Sequence, residues 1–282
     1  MYYREMTQPH SSPLTNEAML ANAPSIFAEA PRDDVSDRYG FIPTIQVIDA
    51  LRDEKWMPVD ATQKNVRKEG TEEFTKHLVR FRRLDDDIVV GDSAVELLLT
   101  NSHDRSSGFI LHAGMFRMAC ANGIVIADST LNKVSVRHNC NAPGQVIEGS
   151  YEVIDQVPEI AQAVESMRAI NLEEHERQIF AEAAFVYAYG EDEENKIVTS
   201  KASINQQLLR PQRKVDTGTD LWSTFNVVQE HILKGGVRTM RRGEKGLRRN
   251  KTRAVKAIDK DIKLNKALWE MAVQMQQLKT AA

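Results

Sequence analysis

A chain of 282 residues, 41% of them hydrophobic, is long enough to bury a core as one large domain or two small ones. Lys and Arg number 37 against 40 Asp and Glu, with only two cysteines; this excludes collagen, wholesale disorder and a disulfide framework, and leaves a reducing, cytoplasmic setting as the expectation. No apolar run approaches the roughly 20 residues of a membrane span, and residues 1–12 (MYYREMTQPHSS) hold no apolar leader, so a soluble protein without a membrane partner is expected.

Residues 1–35, punctuated by Pro13, Pro24 and Pro31, read as an extended arm with one helical turn around Glu17 to Ala21. Past Pro43, the spacing of Ile45, Ile48 and Leu51 predicts a short helix with Thr44 as its N-cap. Short β-like runs follow at Trp56–Val59, Lys76–Leu84, Asp87–Val90, Val95–Asn101, Ser107–His112, Gly123–Ala127 and Lys133–His138. They predict an antiparallel sheet of hairpins, with Asn122-Gly123 as one two-residue turn. In His77–Arg82 apolar and polar residues do not alternate cleanly, so the buried face is left open.

Gly149 and Pro158 bracket a change to helical period, with Ile160, Val164, Met167 and Ile170 on one stripe. A second helix, capped by Asn171 and ended by Gly190, carries Leu172, Ile179, Ala183 and Val186. The acidic run Glu191–Glu194 reads as a solvated boundary loop. A helix through Leu221, Phe225, Val228 and Ile232 stops at Gly235-Gly236, and a last one runs through Ile258, Ile262, Asn265, Trp269, Ala272 and Met275. The fold class expected is α+β: an antiparallel sheet of hairpin-connected strands with helices, then a helical, basic C-terminal region. The divisions expected are an arm over 1–35, a core over 36–190 and the basic region over 191–282.

The near-neutral bulk charge conceals an asymmetry. Between Lys234 and Lys256 stand ten basic residues and one acidic, Glu244, a local balance of +9. The rest of the chain holds 27 basic and 39 acidic residues. Such a segment points to an anionic partner, DNA or RNA. Read as a helix weakened by Gly243 and Gly246, it lines up Arg238, Arg242, Lys245, Arg249, Arg253 and Lys256 on one face, with Arg241 and Arg248 beside them. The competing reading is a solvated basic face that pairs with the acidic body. No aromatic residue interrupts the segment, so phosphate contact rather than base stacking is expected.

A second cluster lies between Asn101 and Asn141. His103, Arg117, Cys120, Asn122, Arg137 and His138 form a candidate anion or substrate site, since guanidinium groups bind phosphate bidentately. Structural roles for the same residues stay open: Cys120 as a small buried residue, and Arg117 and Arg137 as partners of local carboxylates. His112, Cys120, His138 and Cys140 lack the paired spacing of a zinc site, so no metal is expected and no cofactor is assigned. The chain has no phosphate loop, G-x-G-x-x-G, H-E-x-x-H or G-x-S-x-G.

Several short series occur together: Arg38-Tyr39-Gly40-Phe41-Ile42-Pro43-Thr44, His77-Leu78-Val79-Arg80-Phe81-Arg82, Asn101-Ser102-His103-Asp104, Phe116-Arg117-x-x-Cys120-x-Asn122-Gly123, Val136-Arg137-His138, and Asp220-Leu221-Trp222 through Asn226-x-x-Gln229-Glu230 to Gly235-Gly236. From about Thr15 to Trp269 the chain resembles the phage- and plasmid-associated domain-of-unknown-function 932 family. The resemblance implies a cytoplasmic protein of prophages or conjugative plasmids and supplies no catalytic assignment. Arg105 departs from the glycine expected after the His-Asp pair.

Three functions are therefore weighed: a non-enzymatic nucleic-acid-binding accessory protein; an enzyme on a nucleotide or phosphorylated substrate, using the Arg/His/Cys cluster; and an interaction module for a host protein. The basic segment favours the first.

Overall fold

The structure, a computed structural model, describes residues 12–32, 41–64, 70–83, 89–90, 93–104, 106–117, 122–125, 134–136, 141–190, 197–243 and 246–281. It divides into two units, Met1–Pro158 and Glu159–Ala282. The change of unit thus comes before the helix that contains Phe180 and Phe185, whereas the sequence suggested a boundary at 191–194, a run outside the described residues.

The first unit is the antiparallel sheet expected from the hairpin pattern. Its strands are β1 (Met57–Gln63), β2 (His77–Arg82), β3 (Val89–Val90), β4 (Ser93–Asn101), β5 (Phe109–Arg117), β6 (Asn122–Val125) and β7 (Val134–Val136). β4 and β5 form the spine: β2 and β3 share one edge of β4, β6 and β7 share the far edge of β5, and β1 lies outside β2. Asn122-Gly123 stands inside β6, paired with Arg117 and Phe116, not at a turn.

All residues of β2 and β4 are buried, which explains why His77–Arg82 shows no clean alternation. Alternate residues point to opposite faces. His77, Val79 and Phe81 share a face with Leu97, Leu99 and Asn101; Leu78, Arg80 and Arg82 share the other with Glu96, Leu98 and Thr100. The first face packs against α2 (Thr44–Asp53), which buries Val47, Ile48 and Leu51, and α3 (Ala142–Asp155), a helix that the sequence pattern did not reveal. Gly149 lets α3 approach closely, since a Cβ there would stand 2.7 Å from Val134 Cγ1 and 3.0 Å from Leu111 Cδ1.

The segment read as an extended arm is folded over its described part. α1 (Asn16–Asn22), capped by Thr15, and a 3₁₀ turn at Pro24–Phe27 bury Met19, Ala23 and Ile26.

The second unit is mostly helical: α4 (Val157–Ala169), which begins at the boundary, α5 (Glu174–Tyr189), α6 (Lys201–Leu208), α7 (Leu221–Lys234) and α8 (Ile258–Ala281). The start of α5 is capped by Glu173 in a capping box with Glu176, while Asn171, the expected cap, bridges Asp220. Gly190 does end α5, at φ +79°. α7 is the buried axis of the unit, with Trp222 and Phe225 stacked 5.6 Å apart and Trp269 of α8 edge-on to both.

One element departs from expectation in kind. The basic segment is a β-hairpin, β8 (Arg238–Gly243) and β9 (Gly246–Lys251), not a helix. Gly243 and Gly246 pair across a two-residue connection, and Gly246 sits at φ +103°, where glycine is free of the Cβ penalty. Among the described residues no helix is long and apolar enough to cross a membrane.

Candidate nucleic-acid interface

A two-stranded ribbon is marginal in water on its own, and like charges directly opposite destabilise it further. β8 and β9 set Arg238 opposite Lys251 and Arg241 opposite Arg248. Their mounting explains why the ribbon holds. Gly235 and Gly236, at φ +67° and +91°, turn the chain out of α7, and a Cβ on Gly235 would lie 2.6 Å from the Arg253 carbonyl carbon. The amide of Gly236 donates to the Thr252 carbonyl (2.9 Å) and that of Thr252 to the Val237 carbonyl (2.9 Å). The side chain of Gln207 on α6 acts as a substitute strand, accepting from the Arg238 amide (2.8 Å) and donating to the Arg238 carbonyl (3.1 Å). The outer edge of β8 is held at Met240, whose carbonyl accepts from the Val198 amide and whose amide donates to Thr199 Oγ1.

The Asp220-to-Gly236 series is the foundation of this mounting. Asp220 caps α7 through the Ser223 amide (2.8 Å), and Gln229 donates to Asn265 Oδ1 of α8 (2.7 Å). Glu230 accepts two bonds from Arg213 (2.6 and 2.8 Å) and one from Lys234 (2.7 Å). Burial alone would raise the Glu230 carboxyl, but those two cations outweigh it and hold it below the usual carboxylate range.

Between the ribbon and α6 lies a groove of about 1150 Å³. Its cations are Arg210, Arg238, Arg249 and Lys251, with His231 at the end of α7; among the described residues no carboxylate and no Phe, Tyr or Trp lines it. Arg238, Arg242, Arg248, Arg249 and Lys251 are exposed, as are Arg253 and Lys256 beyond the ribbon. Among the described residues none of these, nor Arg241, makes an ion pair, and Arg241 Nε is buried with no hydrogen-bond partner. Lys245 lies outside the described residues. The structure therefore brings Arg238, Arg249 and Lys251 together at one groove, adds Arg210 and His231, which sequence reasoning had not singled out, and places Arg241 and Arg248 on the ribbon's other face.

Most of the second candidate cluster lies outside what is described. Cys120, Arg137 and His138, with Cys140, lie outside them, and of Arg117 and Asn122 only the backbone is described, paired between β5 and β6. His112 is on the sheet face opposite His77. His103 instead joins a buried polar node. Thr44 Oγ1 meets Asn101 Nδ2 at 2.9 Å, His77 Nε2 at 3.0 Å and His103 Nε2 at 3.2 Å, and His77 Nδ1 meets Ser25 Oγ at 2.8 Å. Thr44 is the first residue of α2 and its hydroxyl is spent on this node, so it does not cap the helix; Pro43 stands at the cap without a side-chain bond. On the other face Glu96 pairs with Arg80 (2.6 Å) and Arg82 (2.8 Å), all three buried. Three of the short sequence series thus meet at one place, and their role there is internal.

The model of the family "Domain of unknown function (DUF932)" matches residues 32–269. Two proteins of Escherichia coli (strain K12), the UPF0380 proteins YafZ and YfjQ, are each 40% identical over 260 residues, covering 92% of this chain and 90% of theirs. No solved structure matches. With a groove and ribbon built on the Asp220-to-Gly236 series, and a core built on the three N-terminal ones, the chain belongs to the DUF932 family.

Proposed function

We propose that the protein is a non-enzymatic nucleic-acid-binding accessory protein of a prophage or plasmid, which contacts the sugar-phosphate backbone through the groove and ribbon of its second unit. The observation that carries this reading is the groove with Arg210, Arg238, Arg249 and Lys251 in its walls and, among the described residues, no carboxylate. A basic face that merely stays solvated has no need of concavity. Phosphate is the anion that several cations on one ribbon suit, because polyvalent contact releases counterions cumulatively.

The test is a fluorescence titration of labelled DNA and RNA at low and moderate salt. Binding that weakens by about a thousandfold or more between 50 and 200 mM salt is expected if six or more phosphates are contacted. No measurable binding at low salt would sink the reading.

A further inference from the structure

We infer that the groove takes a single strand of nucleic acid in extended form rather than a duplex, an inference that rests on the backbone-binding reading above. A ribbon that reads duplex DNA must enter the major groove, about 12 Å wide, along its length. Here it is not free: Thr239 is buried, β8 is fastened along its outer edge to residues 197–199, and Gln207 ties its first residue to α6. β9 and Arg242 stay exposed, and the cations of Arg238, Arg249 and Lys251 converge on a concave channel between the ribbon and α6.

The channel's two walls differ in chemistry. On the ribbon side, Arg238 and Lys251 form one rung and Arg249 the next, with Met240 opposite it. Rungs on one face repeat about every 6.8 Å, a step that one nucleotide of an extended backbone can span. The α6 side presents Ser203 and the exposed Gln206, with Arg210 at its end. Gln207 and Gln212 are already engaged, by β8 and by His231. A strand laid in the channel sets phosphates on the cationic rungs and turns base edges toward the hydroxyl and amide. A duplex, with its bases inside and a backbone on either flank, can reach only the rim. Among the described residues no Phe, Tyr or Trp lines the channel, so phosphate contact rather than base stacking carries the binding.

The test is competition at fixed salt among oligothymidylate, oligouridylate and a DNA duplex of equal length for a labelled single strand. Single strands are expected to compete about tenfold or more better than duplex, and Arg249→Ala with Lys251→Ala to lose about tenfold of single-strand affinity. Arg241→Ala with Arg248→Ala, on the other face, is expected to lose less than about threefold. Circular dichroism confirms that both variants are folded. A duplex competing equally well, or an equal loss from the outer pair, overturns the single-strand assignment while leaving backbone binding intact. Failure of every oligonucleotide to bind overturns both. The two single-strand arms show whether DNA or RNA is preferred.

Discussion

Thr44 shows how a residue's role can be set by tertiary partners rather than by its local sequence. A hydroxyl has one proton and two lone pairs, so with Asn101 donating to it, one of the two imidazoles must donate and the other accept. Thr44→Val keeps the shape and removes all three bonds, leaving buried groups unsatisfied; a loss of about 1–3 kcal/mol in urea unfolding is expected. A neutral result would mean that the node contributes nothing. Thr44 is legible in sequence as a helix start and not as a hub, because His77, Asn101 and His103 are brought to it only by strand pairing. Glu230 makes a comparable point in the second unit. Its carboxyl is held low by Arg213 and Lys234, so its contribution to stability is present above the ordinary carboxylate range and is lost as pH falls through and below it. Glu230→Gln is expected to flatten the acid limb of a stability-versus-pH curve followed by Trp222 and Trp269 fluorescence. An unchanged limb would show that the pair is not coupled to folding.

At the scale of elements, the ribbon was the hardest to read and matters most. Its arginines fall at three- and four-residue steps and so mimic a helical face, while the doublets Arg241-Arg242 and Arg248-Arg249 mask strand alternation. The usable signal was Gly243-Glu244-Lys245-Gly246, two glycines flanking two turn residues between basic runs. By contrast, the strands of the first unit were legible to within a few residues, because β-branched and apolar runs are bounded by turn residues there. α3 was missed because Gly149 weakens a helical pattern and its reason, contact with Val134 and Leu111, is tertiary. The ribbon's mounting gives an element-level prediction. Gly235→Ala places a Cβ against backbone at positive φ, so the second unit should lose about 1–3 kcal/mol, and oligonucleotide affinity should fall although no cation is removed. Unchanged affinity would show that the ribbon's anchorage does not position the groove.

For the whole molecule, charge is divided by location rather than by total. The 37 basic and 40 acidic residues nearly cancel, yet the ribbon and the groove beside it hold cations that are free of ion pairs among the described residues. That segregation was legible in sequence as a +9 segment; its form, a concave channel reinforced by Arg210 and His231, was not, since those two residues come from other elements. The charge arithmetic located the site, and the folding of α6 and α7 around the ribbon gave it a shape. The central claim is that these cations neutralise phosphates. The most direct measurement is the slope of log affinity against log salt for a single-stranded oligonucleotide, for the native protein and for a variant with Arg210, Arg238, Arg249 and Lys251 all replaced by Ala. At roughly 0.7 per phosphate contact, the slope should become shallower by up to about three. Native and variant proteins with the same slope, or a native protein whose affinity ignores salt, would contradict the account.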